Sequence, residues 1–124
     1  MRSMRVLLIE DDENDAELQC RELRKMGYDV SSSNSGEEGI AAALEMLPDV
    51  ILCDVNMLHR NGYWVAETCK LDPQLRFIPL IALTGEHGMF SSERKALAAG
   101  FDALLLKPLN IEAFKREVDR LCPP

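Results

Sequence analysis

Four short apolar runs that each end in a polar residue constrain this chain more than any other feature. The run Val50-Ile51-Leu52-Cys53, which delivers Asp54, is the one the rest is arranged around. Bounded by Pro48-Asp49 before it and His59-Arg60-Asn61-Gly62 after it, the run is too short for a helix and reads as a buried parallel strand. In an open α/β sheet, ligands bind beyond the carboxyl ends of the strands, which is where Asp54 would lie. Taken alone, such an Asp is more often a helix cap or a turn former. Three other runs end in residues of matching chemistry, however. Val6-Leu7-Leu8-Ile9 runs into Glu10-Asp11, Ile78-Pro79-Leu80-Ile81-Ala82-Leu83 into Thr84, and Ala103-Leu104-Leu105-Leu106 into Lys107-Pro108.

The segments between these runs carry helical patterns. Asp12 is placed to cap a first helix, Glu13 and Asp15 favour its first turn, and Ala16, Cys20, Leu23 and Met26 recur at helical spacing until Gly27. Capping accounts for Asp12, Glu13 and Asp15 but does not ask for Glu10 and Asp11. Tyr28-Asp29-Val30-Ser31-Ser32-Ser33 has the sparse apolar content of an edge strand. Ser35 and Glu38 form a capping box, Ile40, Ala43, Leu44 and Leu47 supply the buried face of a second helix, and Pro48 stops it. A third helix is expected from about Tyr63 to Leu71. A fourth, capped by Ser91 or Ser92, runs to Gly100, and a fifth is capped by Asn110 with Ile111, Phe114, Val118 and Leu121 facing the core. Strands alternating with helices require right-handed crossovers, so the fold class is α/β, a doubly wound five-stranded parallel sheet flanked by five helices.

At 124 residues the chain has room for one domain and one core. No apolar stretch approaches the ~20 residues needed to span a bilayer, and Met1-Arg2-Ser3-Met4 lacks the apolar core of a signal peptide, so a cytoplasmic location without membrane insertion is expected. A formal charge of -7 argues against direct grip on nucleic-acid phosphates and suits basic partners or a divalent cation, although solubility alone explains most of it. Cys20, Cys53, Cys69 and Cys122 lack metal-ligand spacing and read as small core hydrophobes, while His59 and His87 read as solvent-exposed.

Glu10, Asp11, Asp54, Thr84 and Lys107, in that order and at that spacing, resemble the receiver domains of two-component response regulators, and the resemblance covers nearly the whole chain. It implies a flavodoxin-like sheet of order 2-1-3-4-5, with residues 1–4 as an N-terminal extension, 5–122 as the receiver domain and 123–124 as a tail or the start of a linker. Carried over residue by residue, Asp54 would be the phosphoacceptor. Glu10, Asp11 and Asp54 would hold Mg2+ together with the backbone carbonyl of Asn56, Thr84 and Lys107 would stabilise the phosphoryl group, and Leu104 would hold the switch position. The Lys107-Pro108 bond would be cis. The phosphoryl group would come from a sensor histidine kinase or a histidine phosphotransfer protein. Such a domain is a signalling module rather than an enzyme, supporting only its own Mg2+-dependent phosphorylation and dephosphorylation, and it stands alone or forms part of a longer protein.

The chemistry is coherent without the family. An Asp with an ordinary pKa of about 4 is ionised at neutral pH and needs no general base; its difficulty is repulsion from the phosphoryl oxygens. A cation held by carboxylates, a lysine and a hydroxyl donor each relieve part of that repulsion. Three positions depart from the family pattern: Leu58 stands where Pro commonly follows Met57, Gly85 where Ala is commoner, and Leu104 where an aromatic is frequent. Two alternatives belong to other classes. A receiver-like adaptor would bind partners without phosphorylation. A phosphohydrolase of the haloacid dehalogenase type wants a second Asp where Asn56 stands, and the chain has no Gly-rich phosphate loop for an NTPase.

Overall fold

Apart from one edge strand, the strands are nearly continuous Val, Ile, Leu, Ala and Cys, as expected where helices cover both faces of the sheet. A computed structural model describes residues 3–58, 61–85 and 89–123, with the backbone alone at 89–92. Strands β1 (Arg5–Ile9), β2 (Asp29–Ser33), β3 (Val50–Asp54), β4 (Leu80–Thr84) and β5 (Ala103–Leu106) alternate with helices α1 (Glu13–Lys25), α2 (Gly36–Met46), α3 (Gly62–Leu71), α4 (Met89–Ala99) and α5 (Ile111–Leu121). All pairings are parallel and the order is β2-β1-β3-β4-β5, as expected. The fourth strand starts at Leu80 rather than Ile78; Pro79, just before it, still accepts a bond from the Ile51 N–H.

Alternate residues divide the core in two. Leu7, Ile9, Ile51, Cys53, Leu80 and Ala82 pack with Ala43, Val65, Ala66, Cys69 and Ala96 on the side of α2, α3 and α4. Val6, Leu8, Val50, Leu52, Ile81 and Leu83 pack on the other side with Cys20 and Leu23 of α1 and Phe114 and Val118 of α5. Each fully buried aliphatic or Phe side chain contributes about 1.5–3 kcal/mol, so these two layers supply the stability that a polar site at the strand ends draws on. In β2 only Val30 is buried, in keeping with an edge. Cys20, Cys53 and Cys69 are buried free thiols and Cys122 is half-buried.

Caps fall where side-chain chemistry predicts. Asp12, Ser35 and Asn110 each accept a bond from the backbone N–H three residues on, and Asn61 does the same for α3. Neither Ser91 nor Ser92 is a cap, because α4 already begins at Met89 and both lie within it. Leu44 and Leu47 are not on the buried face of α2; they are 38% and 47% exposed. Gly36, Gly39 and Ala43 form that face instead, and an added Cβ at Gly39 would collide with the Ile9 side chain. The chain leaves the helix at Leu47 with φ 45°, a left-handed conformation that turns its side chain away before Pro48. Met26 is likewise exposed, and Gln19 takes a buried place on α1. His59 and His87 lie outside the described residues. The Lys107–Pro108 peptide bond is cis.

Gly62 positions the site directly. A Cβ there would lie 2.7 Å from the Asp54 carbonyl oxygen and 2.7 Å from the Val55 Cα, and the Gly62 N–H donates to the Val55 carbonyl at 3.0 Å. The start of α3 is thus pressed onto the end of β3, and only glycine allows that approach.

Candidate functional site

The carboxyl ends of β1, β3, β4 and β5 bring Glu10, Asp11, Asp54, Asn56, Thr84 and Lys107 to one end of the sheet, whereas Leu104 lies within β5. Glu10 follows β1 and is 1% exposed; Asp54 ends β3 and is 3% exposed; Thr84 ends β4 and is also buried. Carboxylate oxygens of Glu10, Asp11 and Asp54 lie within 4.8 Å of one another. Lys107, whose N–H donates to the Thr84 carbonyl at 2.8 Å, reaches across with Nζ 3.0 Å from Glu10 Oε1 and 3.3 Å from Asp54 Oδ2. Asp54 Oδ1 accepts the Asn56 backbone N–H at 3.0 Å, and the Asn56 side-chain amide donates to Thr84 Oγ1 at 3.3 Å. A cleft of about 350 Å³ opens over this group.

Its electrostatics follow from crowding like charges at a nearly dry strand end. Burial, and then the adjoining Asp54 carboxylate, raise the Glu10 pKa from 4.5 to about 7, with Lys107 pulling in the opposite direction. Burial by itself would lower the Lys107 pKa, but hydrogen bonding and charge attraction from Glu10 and Asp54 outweigh it and hold the ammonium above its ordinary range. The donor set is entirely oxygen, from carboxylates that repel one another. It therefore fits a hard cation such as Mg2+, which is bound through one or two carboxylates and keeps several waters.

Four residues make contacts that were not legible in the sequence. Asp15, assigned to the first turn of α1, also lies 3.3 Å from Lys107 Nζ through Oδ2. The buried Gln19 donates from Nε2 to Glu10 Oε1 at 3.2 Å. Its signal was a polar residue inside the apolar stripe, three after Ala16 and four before Leu23. Asn56, singled out for its backbone carbonyl, contributes its backbone N–H to Asp54 and its side-chain amide to Thr84. Leu58, at a position commonly Pro, donates its backbone N–H to Asp11 Oδ2 at 3.0 Å, a bond that proline cannot make. Leu104 pairs with Ala82 in register and packs, half-buried, against the layer under α2, α3 and α4.

An acidic, oxygen-lined cleft with a lysine across it, at the point where strand order reverses in a doubly wound sheet, defines a flavodoxin-like α/β domain with its site at the switch point. A family model for the response regulator receiver domain matches residues 6–119, and the chain belongs to that family of two-component signalling modules. The polar-differentiation response regulator DivK of Brucella ovis is 32% identical over 109 residues, covering 88% of each chain. The DNA-binding dual master transcriptional regulator RpaA of Synechocystis is 30% identical over 124 residues, covering 94% of this chain and 51% of RpaA, so this chain spans about half the length of that regulator. Among solved structures, the receiver domain of the sensor histidine kinase PA1611 from Pseudomonas aeruginosa, which has a magnesium ion coordinated in its active site cleft, superposes with a TM-score of 0.86 at 27% identity over 96% of this chain and 97% of that one. Among the described residues no helix is long and apolar enough to cross a membrane.

Proposed function

We propose that this protein is a phosphoacceptor: Asp54 takes a phosphoryl group from a phosphohistidine of a sensor histidine kinase or histidine phosphotransfer protein, and the change alters a protein-binding face. The observation that carries this reading is the convergence of Lys107 Nζ on Asp54 Oδ2 and Glu10 Oε1, which puts a cation beside the one strand-end carboxylate that also holds the Asn56 N–H. A carboxylate oxygen of Asp54 attacks phosphorus in line. The P–N bond breaks, and its electron pair stays on the imidazole, which takes up a proton. Lys107 and the Thr84 hydroxyl meet the phosphoryl oxygens, and the Asn56 N–H steadies the acceptor carboxylate. Glu10, Asp11 and Asp54, with the backbone carbonyl of Asn56, would hold Mg2+, whose charge offsets the repulsion between acceptor and phosphoryl group.

On this reading the receiver occupies residues 5–122, works in the cytoplasm, and has no direct contact with nucleic acid. An adaptor that is never phosphorylated would have no use for an acidic strand-end corner whose buried carboxylates need a lysine to offset them. The test is incubation with acetyl phosphate and Mg2+, followed by intact-mass analysis and mapping. One added phosphoryl group on Asp54, absent in Asp54→Asn, is expected. An unmodified protein, or modification that survives Asp54→Asn, would overturn the assignment.

A further inference from the structure

Lys107 Nζ is shared by three carboxylates, of which Glu10 and Asp54 belong to the site as read from the sequence and Asp15 does not. Asp15 and Gln19 are four residues apart and share one face of α1. The first pairs with Lys107 Nζ at 3.3 Å, and the second donates to the same Glu10 oxygen that the lysine contacts at 3.0 Å. Gln19 is buried, so its hold on Glu10 is fixed by packing, whereas Asp15 is 46% exposed on its side chain and lies at the cleft wall.

The geometry points to Asp15 as a positioning residue that restrains phosphoryl acceptance. It draws the Lys107 ammonium toward α1 and places a negative charge at the cleft mouth, while Gln19 keeps Glu10 in place as the inner anchor of the same ammonium. This inference rests on the reading of Asp54 as acceptor. An incoming phosphoryl group needs Lys107 at its oxygens, so Asp15 competes with the donor for one cation and repels the donor's charge. Because Asp15 is half in water, the effect is that of a partly screened pair rather than a buried one.

The experiment measures the rate of Asp54 phosphorylation in the presence of Mg2+ with two small donors, acetyl phosphate, a dianion near neutral pH, and phosphoramidate, which carries less negative charge. In each, the Asp54 oxygen bonds to phosphorus and the donor's P–O or P–N bond breaks, acetate or ammonia leaving with the electron pair. Asp15→Asn is compared with Asp12→Asn, which removes a charge from the same cleft wall without touching Lys107 and keeps a competent helix cap. Asp15→Asn is expected to raise the acetyl phosphate rate about two- to fivefold, and the phosphoramidate rate less, so that the ratio between donors changes. Asp12→Asn is expected to change neither rate by as much. A shift in donor ratio separates positioning and charge from a merely structural role, which would move both rates together. If the parent is phosphorylated on Asp54 but Asp15→Asn matches Asp12→Asn or is slower, the restraint is refuted and the acceptor reading stands. If neither the parent nor any variant is modified on Asp54, both fall.

Discussion

The corner of the sheet made by β1 and β3 and the corner made by β4 and β5 face the same cleft with opposite problems. The first crowds three carboxylates within 4.8 Å, two of them buried. The second presents a buried hydroxyl, a partly exposed ammonium and, further back along β5, a half-buried leucine. Two like charges ~4 Å apart repel by about 4 kcal/mol at an effective dielectric near 20, so the acidic corner is unfavourable by itself. Lys107 answers that charge from the other corner, against Glu10 and Asp54. The difference teaches that the two corners are one electrostatic unit, linked through a single ammonium, and that the sheet's apolar layers tolerate the cost.

Breaking the link has the largest expected effect. Lys107→Met leaves Glu10 and Asp54 buried without their counter-charge, and urea unfolding at pH 8 should show a loss of about 3–5 kcal/mol. Below pH 7 the loss should shrink, because Glu10 can then take up a proton. Unchanged stability at pH 8 would show that the corners are independent.

The acidic corner can also be relieved from within. Glu10 has its pKa raised from 4.5 to about 7, so the unfolded chain releases this proton at lower pH than the folded one does. The favourable contribution is therefore complete below about pH 4.5 and is lost as the pH climbs to about 7, a change on the order of 3 kcal/mol. The dependence of stability on pH across that window should flatten in Glu10→Gln. A slope identical to the parent's would mean that another group titrates there.

Mg2+ offers a milder test of the same corner. At a hundredfold excess over its dissociation constant a ligand adds roughly 2.7 kcal/mol, and the gain in Tm should be larger at pH 8 than at pH 6, where protons compete at Glu10. Millimolar Mg2+ with no effect on Tm beside a matched salt control would remove the metal site.

The smallest effect is expected at the other corner. On the phosphoacceptor reading Thr84 would meet a phosphoryl oxygen, but Leu104 has neither ring nor hydroxyl to report it. Roughly 5.5 kcal/mol of differential affinity is needed to carry a population from 1:99 to 99:1, so a beryllofluoride adduct should give small or mixed amide NMR shifts around Leu104. Large shifts that saturate in one new conformation from Glu93 to Leu106 would show a full switch through leucine.

Much of this protein is determined by its sequence through local chemistry. The apolar runs became β1, β3, β4 and β5 because a strand covered on both faces must be apolar throughout, and Asp12, Ser35 and Asn110 cap helices because their side chains reach backbone donors three residues on. Glu10, Asp11, Asp54, Thr84 and Lys107 were legible together because parallel strands send all their carboxyl ends to one side. Tertiary packing decided the rest. Helical spacing put Leu44 and Leu47 on a buried face, but the close approach of Gly39 to Ile9 chose a neighbouring face and Leu47 left the helix. Asn56 meets Thr84 across 28 residues of chain, and Asp15 meets Lys107 across 92. No periodicity reports such pairs, because the distance between their side chains is set by how α1 and the strand ends pack on a shared core.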